Sequence, residues 1–102
     1  MSKVVVMGTG TMGVGIAASF LAYGAKTILL GRGLDKAEIS LSKVESCADA
    51  INPSWRDSGA QLVAGSITDW SDWQHTDLII ETISERLDLK KALFTEIGRA
   101  HV

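Results

Sequence analysis

Gly8, Gly10 and Gly13 stand at the three fixed positions of a G-x-G-x-x-G turn, within the run KVVVMGTGTMGVG that covers residues 3–15. Val4, Val5 and Val6 form a β-branched stretch suited to a buried strand, and an apolar segment after the turn opens as a helix. A strand, a tight glycine turn and a helix in that order aim the helix's first amides at whatever lies over the turn, and a dinucleotide pyrophosphate suits such an end. Each glycine has a separate steric reason. Gly8 allows the sharp turn out of the strand, Gly10 leaves room for phosphates, and Gly13 lets the helix lie close on the sheet. The amides around Thr11 and Met12 would face the ligand. The glycines alone recur by chance; their place after a strand and at the N-terminal end of the chain gives them weight.

The remaining hydrophobic pattern alternates between strand and helix. Met12, Ile16, Phe20 and Tyr23 recur at helical spacing and predict a helix over 11–23, with that stripe on the sheet and Gly24 as its end. KTILLG over 26–31 reads as a second strand, continuous rather than alternating, as parallel strands covered on both faces are. Leu34, Ala37, Leu41, Val44, Ala48 and Ile51 predict a helix over 34–51. Its other face, with Lys36, Glu38, Lys43, Glu45 and Asp49, is a solvated surface, and Cys47 reads as a small packing residue rather than a nucleophile. Asn52-Pro53-Ser54 stops the helix. Trp55 and Arg56 follow in a polar connection, where Trp55 caps an apolar edge or, alternatively, stacks on a ligand.

Residues 61–65 predict a third strand, and Trp70 and Trp73 in the loop 66–76 suggest one short helical turn packing on the domain. Residues 77–81 read as a fourth strand and 87–97 as a last helix, with Leu89, Leu93, Phe94 and Ile97 on its apolar face. The order βαβαββα, joined by right-handed crossovers, gives an α/β fold: a Rossmann-like doubly wound parallel sheet of strand order 3-2-1-4. That sheet is incomplete at its C-terminal edge. Leu78, Ile79 and Ile80 would lie on an open strand that invites self-pairing or poor solubility.

At 102 residues the chain is one dinucleotide-binding domain, 1–102, and small for a complete enzyme of this kind. The net charge of −2 supplies no broad basic field, which argues against nucleic acid as a partner. The apolar stretches are far shorter than the roughly 20 residues of a membrane span, and no signal peptide precedes the first strand. A single cysteine cannot form an internal disulfide, so the expected setting is the reducing cytoplasm. No catalytic residue and no metal site is assigned to the chain.

The tip of the second strand bears on the choice of cofactor. Sites for NAD place Asp or Glu about 20 residues beyond the glycines, where it accepts hydrogen bonds from the ribose hydroxyls. Here that position is Gly31, followed by Arg32 and Gly33. No carboxylate stands there to repel a 2′-phosphate, and Arg32 could grip one through its fork of donors. The cofactor is therefore NAD or NADP, with Gly31-Arg32 favouring NADP. In the alternative, Arg32 is a solvated loop residue and Asp35 reaches back to the ribose.

GTGTMGVGIA over 8–17 and DLIIETISERLDLKKALF over 77–94 together resemble the N-terminal domain of the 3-hydroxyacyl-CoA dehydrogenases. Two separated motifs in the right order are far more specific than the glycines alone. The match spans nearly the whole chain and is weakest between residues 34 and 60. The resemblance implies a fatty-acid oxidoreductase that transfers hydride between the 3-hydroxyl carbon of an acyl-CoA and nicotinamide, with NAD as the family's usual cofactor. It places Glu85 and Lys90 near the nicotinamide end; without it, both read as solvated residues at the start of a helix. It also implies that the parent protein is a homodimer that binds acyl-CoA. The family's histidine–glutamate pair lies beyond the fourth strand and its helix, and neither His75 nor His101 matches it.

Gly31-Arg32 departs from the family's acidic strand end, and the family's coenzyme A-holding lysine and serine have no secure counterpart after the second strand. The terminal EIGRAHV, over 96–102, is what one frame of a common sequencing adapter encodes, so a foreign tail is expected from about 98 on a truncated, inactive fragment. Two rival readings are an NADP-dependent β-hydroxyacid dehydrogenase fragment, against which the 77–94 pattern argues, and a non-catalytic nucleotide-binding module, which would need a finished sheet.

Overall fold

A computed structural model of the chain describes residues 2–83. The expected last helix over 87–97, Glu85, Lys90, His101 and the tail expected from 98 lie outside the described residues. The elements run β1 (Lys3–Met7), α1 (Thr11–Ala22), β2 (Lys26–Gly31), α2 (Leu34–Ile51), a 3-10 segment (Pro53–Ser58), β3 (Gln61–Ser66) and β4 (Leu78–Glu81). The four described strands form one parallel sheet in the order β3-β2-β1-β4, the order that the crossover rule predicts. Val5 is flanked by Ile28 of β2 and Ile79 of β4, so the central strand is apolar on both sides.

Alternation along the strands divides the core between two faces. Val4, Val6 and Leu29 pack with Val14, Ala17, Ala18 and Leu21 of α1 and Val44 and Ala48 of α2. Val5, Met7, Ile28 and Leu30 pack with Ile67 and Trp73 on the other face. Among the described residues, then, both helices cover one face and the segment after β3 covers the other. Trp73 is 1% exposed and donates its Nε1 proton to the Trp70 carbonyl at 3.0 Å. The expected helical turn lies slightly earlier than the tryptophans suggest: the amides of Asp69 and Trp70 both donate to the Ser66 carbonyl.

Four expectations about side chains are corrected. Met12 and Tyr23 do not face the sheet; they are 70% and 86% exposed, while Ile16 and Phe20 are only partly buried. The packed face of α1 is Gly13, Val14, Ala17, Ala18, Leu21 and Ala22. The helix is apolar nearly all round, so two phases compete, and the one with the smaller side chains wins because it allows closer approach to the sheet. On α2 the stripe of Ala37, Val44 and Ala48 is buried, but Leu34 and Ile51 at its ends are about half exposed.

Cys47 is exposed rather than packed, because it lies one helical step off the Val44–Ala48 stripe. Trp55 is in the core rather than at an edge: it is 5% exposed and its Nε1 donates to Asp49 Oδ1 at 2.8 Å. Arg56 lies over the same indole, 4.4 Å from the ring centre, and pairs with Glu45 and Asp49 on α2. The connection after α2 is thus a clamp on that helix. No described helix is long and apolar enough to cross a membrane.

Candidate functional site: the glycine turn and the tip of β2

The turn is built by three contacts at the end of β1. Gly8 has φ of +121°, a conformation open to glycine but strained for L side chains, and its amide donates to the Leu30 carbonyl of β2 at 2.8 Å. A Cβ on Gly8 would collide with Thr82 Oγ1, which itself donates to the Met7 carbonyl at 2.8 Å. A Cβ on Gly13 would collide with the Gly8 carbonyl oxygen and come within 2.9 Å of its carbon. The start of α1 is therefore pressed onto the turn. Gly10 differs from both, since a Cβ there would meet nothing within 4 Å.

Gly10 is the N-cap of α1, and its carbonyl accepts the first intrahelical bond, from Val14, at 2.9 Å. The amides of Thr11, Met12 and Gly13 precede that bond and have no carbonyl within the helix. No described side chain caps this end, and the first turn holds no acidic residue. Partial positive charge at the helix start is thus left facing the space beside Gly10. Met12 contributes only its backbone there, because its side chain is exposed.

Two cavities adjoin this point. One, of about 320 Å³, extends from Gly8, Thr9 and Gly10 across Gly31 to Arg32, Lys36, Ile67 and Thr82. The other, of about 550 Å³, lies between the turn and α2, with Val14, Gly15, Lys43 and Cys47 among its walls. The structure brings Gly8, Gly10, Gly13, Thr11 and Arg32 to one end of the sheet. Asp35, the alternative ribose partner, is exposed in the first turn of α2 and is not a wall of the smaller cavity.

Sequence reasoning missed Thr82, Thr9, Lys36 and Ile67. Thr82 had a usable signal: it directly follows β4, whose Glu81 aligns with Met7, so it must lie against the turn. Lys36 follows Arg32 at helical spacing, yet was read as part of the solvated face. His75 lies just before β4, where strands begin, at the opposite end of the sheet from the turn.

Residues 3–101 match the family described as 3-hydroxyacyl-CoA dehydrogenase, NAD binding domain. Among curated relatives, 3-hydroxyadipyl-CoA dehydrogenase of Escherichia coli (strain K12) is 32% identical over 102 residues, which cover 93% of this chain and 21% of the relative. Mitochondrial hydroxyacyl-coenzyme A dehydrogenase of Sus scrofa is 35% identical over 107 residues, covering 94% of this chain and 34% of that protein. Among solved structures, 3-hydroxybutyryl-CoA dehydrogenase from Escherichia coli K12 superposes with a TM-score of 0.77 at 26% identity, over 97% of this chain and 22% of that one. The chain thus spans only 14% to 38% of the length of the relatives it matches. It belongs to the 3-hydroxyacyl-CoA dehydrogenase family and corresponds to that family's NAD-binding domain.

Proposed function

We propose that the glycine turn holds the pyrophosphate of a nicotinamide dinucleotide. The observation that carries this is the contrast among the glycines: Gly8 and Gly13 are closed in by neighbouring atoms, whereas Gly10 faces open space beside an uncapped helix start. That space accepts a diphosphate, and the amides of Thr11, Met12 and Gly13 supply its donors. Arg32 at the tip of β2 takes the adenosine ribose end, and Gly31-Arg32 favours NADP over NAD. Glu85 and Lys90, by the family resemblance, take the nicotinamide end. When bound, the dinucleotide supplies two-electron redox chemistry, and these residues hold and orient it.

The whole protein is read as a cytoplasmic, homodimeric oxidoreductase acting on the 3-hydroxyl carbon of an acyl-CoA. Its proton-transferring groups and acyl pocket come from outside this domain, so the domain by itself binds dinucleotide without turnover. Fluorescence titration with NADH and NADPH tests the reading. Saturable binding of either is the expected result, and a chain that is folded by circular dichroism but binds neither contradicts it.

A further inference from the structure

We infer that Lys36 is a second specificity-determining cation, which together with Arg32 forms a subsite for the 2′-phosphate of NADP. This rests on the dinucleotide reading above and goes beyond it by naming how the cofactor is chosen. Three observations carry it. First, Arg32 at the strand tip and Lys36 one helical turn later both line the same cavity of about 320 Å³, beside Gly31. Among the described residues, neither forms an ion pair; the pairs present are those of Lys3 and Arg56.

Second, the acidic side chain that would read a free ribose is absent, and the packing at Gly31 is tight for any side chain. A Cβ on Gly31 would lie 3.0 Å from the Thr9 methyl, 3.1 Å from the Ala37 amide nitrogen and 3.1 Å from the Gly33 carbonyl oxygen. Two of those three neighbours are backbone and cannot turn aside. Third, the acid nearest in sequence, Asp35, is turned onto its own loop, with Oδ1 2.7 Å from where a Gly33 Cβ would stand. Among the described residues, the cavity wall therefore carries two cations and no carboxylate.

A phosphomonoester carries about −1.5 to −2 charge near neutral pH and offers three acceptor oxygens. One guanidinium satisfies two of them with its fork, and an ammonium supplies the further donor and the second charge. A ribose hydroxyl has no charge for either to complement. Arg32 and Lys36 thus discriminate by the phosphate alone.

The test is calorimetric titration of the full chain with NADPH and with NADH, for the unaltered protein, Lys36→Ala and Lys36→Glu, at two salt concentrations. The expected result is NADPH preferred over NADH by about tenfold or more at low salt, and less at high salt. Lys36→Ala should weaken NADPH about fivefold and Lys36→Glu further, with NADH unchanged in the first case. Lys36 is exposed on α2, and unchanged circular dichroism shows that the fold is intact. If Lys36→Ala leaves NADPH unchanged, or weakens both dinucleotides equally, the inference fails. Tighter NADH binding by the unaltered chain overturns the inference but leaves the dinucleotide site standing. Binding of neither overturns both.

Discussion

At the start of β1, Lys3 is enclosed and occupied; at the sheet's other end, Arg32 and Lys36 stand exposed beside an uncapped helix. Lys3 is 8% exposed, and its Nζ donates to the carbonyls of Asp72 at 2.7 Å and Gln74 at 2.9 Å while pairing with the Asp72 carboxylate at 3.1 Å. Its backbone amide donates to Asp77 Oδ2, and its carbonyl accepts from the Asp77 amide. This network pins the tryptophan-bearing segment 66–77 beneath the sheet and sets the entry of β4. The polar groups of Lys3 are satisfied inside the protein, as burial demands. Around the glycine turn, donors and cations face space instead. One end of the sheet serves the fold, and the other is where we propose that the ligand binds.

The comparison breaks if substitutions at the two ends have the same consequences. The largest effect is expected at Gly13, where a methyl group meets backbone atoms of Gly8. Helix propensity alone favours Gly13→Ala by about 1 kcal/mol, so a net loss of about 3 kcal/mol in a denaturant titration isolates the steric cost. Lys3→Met comes next. It takes the donor from two carbonyls, lowering stability by about 2 kcal/mol while leaving dinucleotide affinity unchanged.

Gly10→Ala sharpens the contrast, because it acts on binding instead of stability. The position is open, so the unfolding free energy should fall by no more than about 0.5 kcal/mol, the difference between Gly and Ala as N-caps. Dinucleotide affinity should fall about tenfold, equivalent to about 1.4 kcal/mol. The smallest effect is expected at Trp55→Phe, which keeps most of the buried ring and loses the hydrogen bond to Asp49. About 1 kcal/mol of stability should go, read from the denaturation midpoint, with no change in binding.

Much of the open end was legible because its constraints are local in sequence. Strand, turn and helix follow one another without interruption from Lys3 to Ala22, and the bounds of β2 and α2 agree with the spacing of their apolar residues. The closed end was not legible, because Lys3 meets Asp72 and Asp77 only after the chain has crossed the sheet. Nothing near Lys3 in sequence distinguishes it from a solvated lysine. Trp55 and Cys47 were misread for a related reason: a helix face is decided by what packs on it, and that partner is remote. The phase of α1 was lost because apolar residues surround it and close packing, which sequence spacing does not register, selects the small ones. Lys36 joins the cavity wall through the placement of α2, which its spacing alone does not reveal, whereas Thr82 had a signal in its place directly after β4.

The most direct test of the central claim is a calorimetric titration of NADPH and NADH into the unaltered chain and Gly10→Ala, with a denaturation curve for each. The account predicts dinucleotide binding by the unaltered chain and about tenfold weaker binding by Gly10→Ala, with nearly coincident denaturation curves. Equal affinity in the two proteins, or a folded unaltered chain that binds neither dinucleotide, would contradict it.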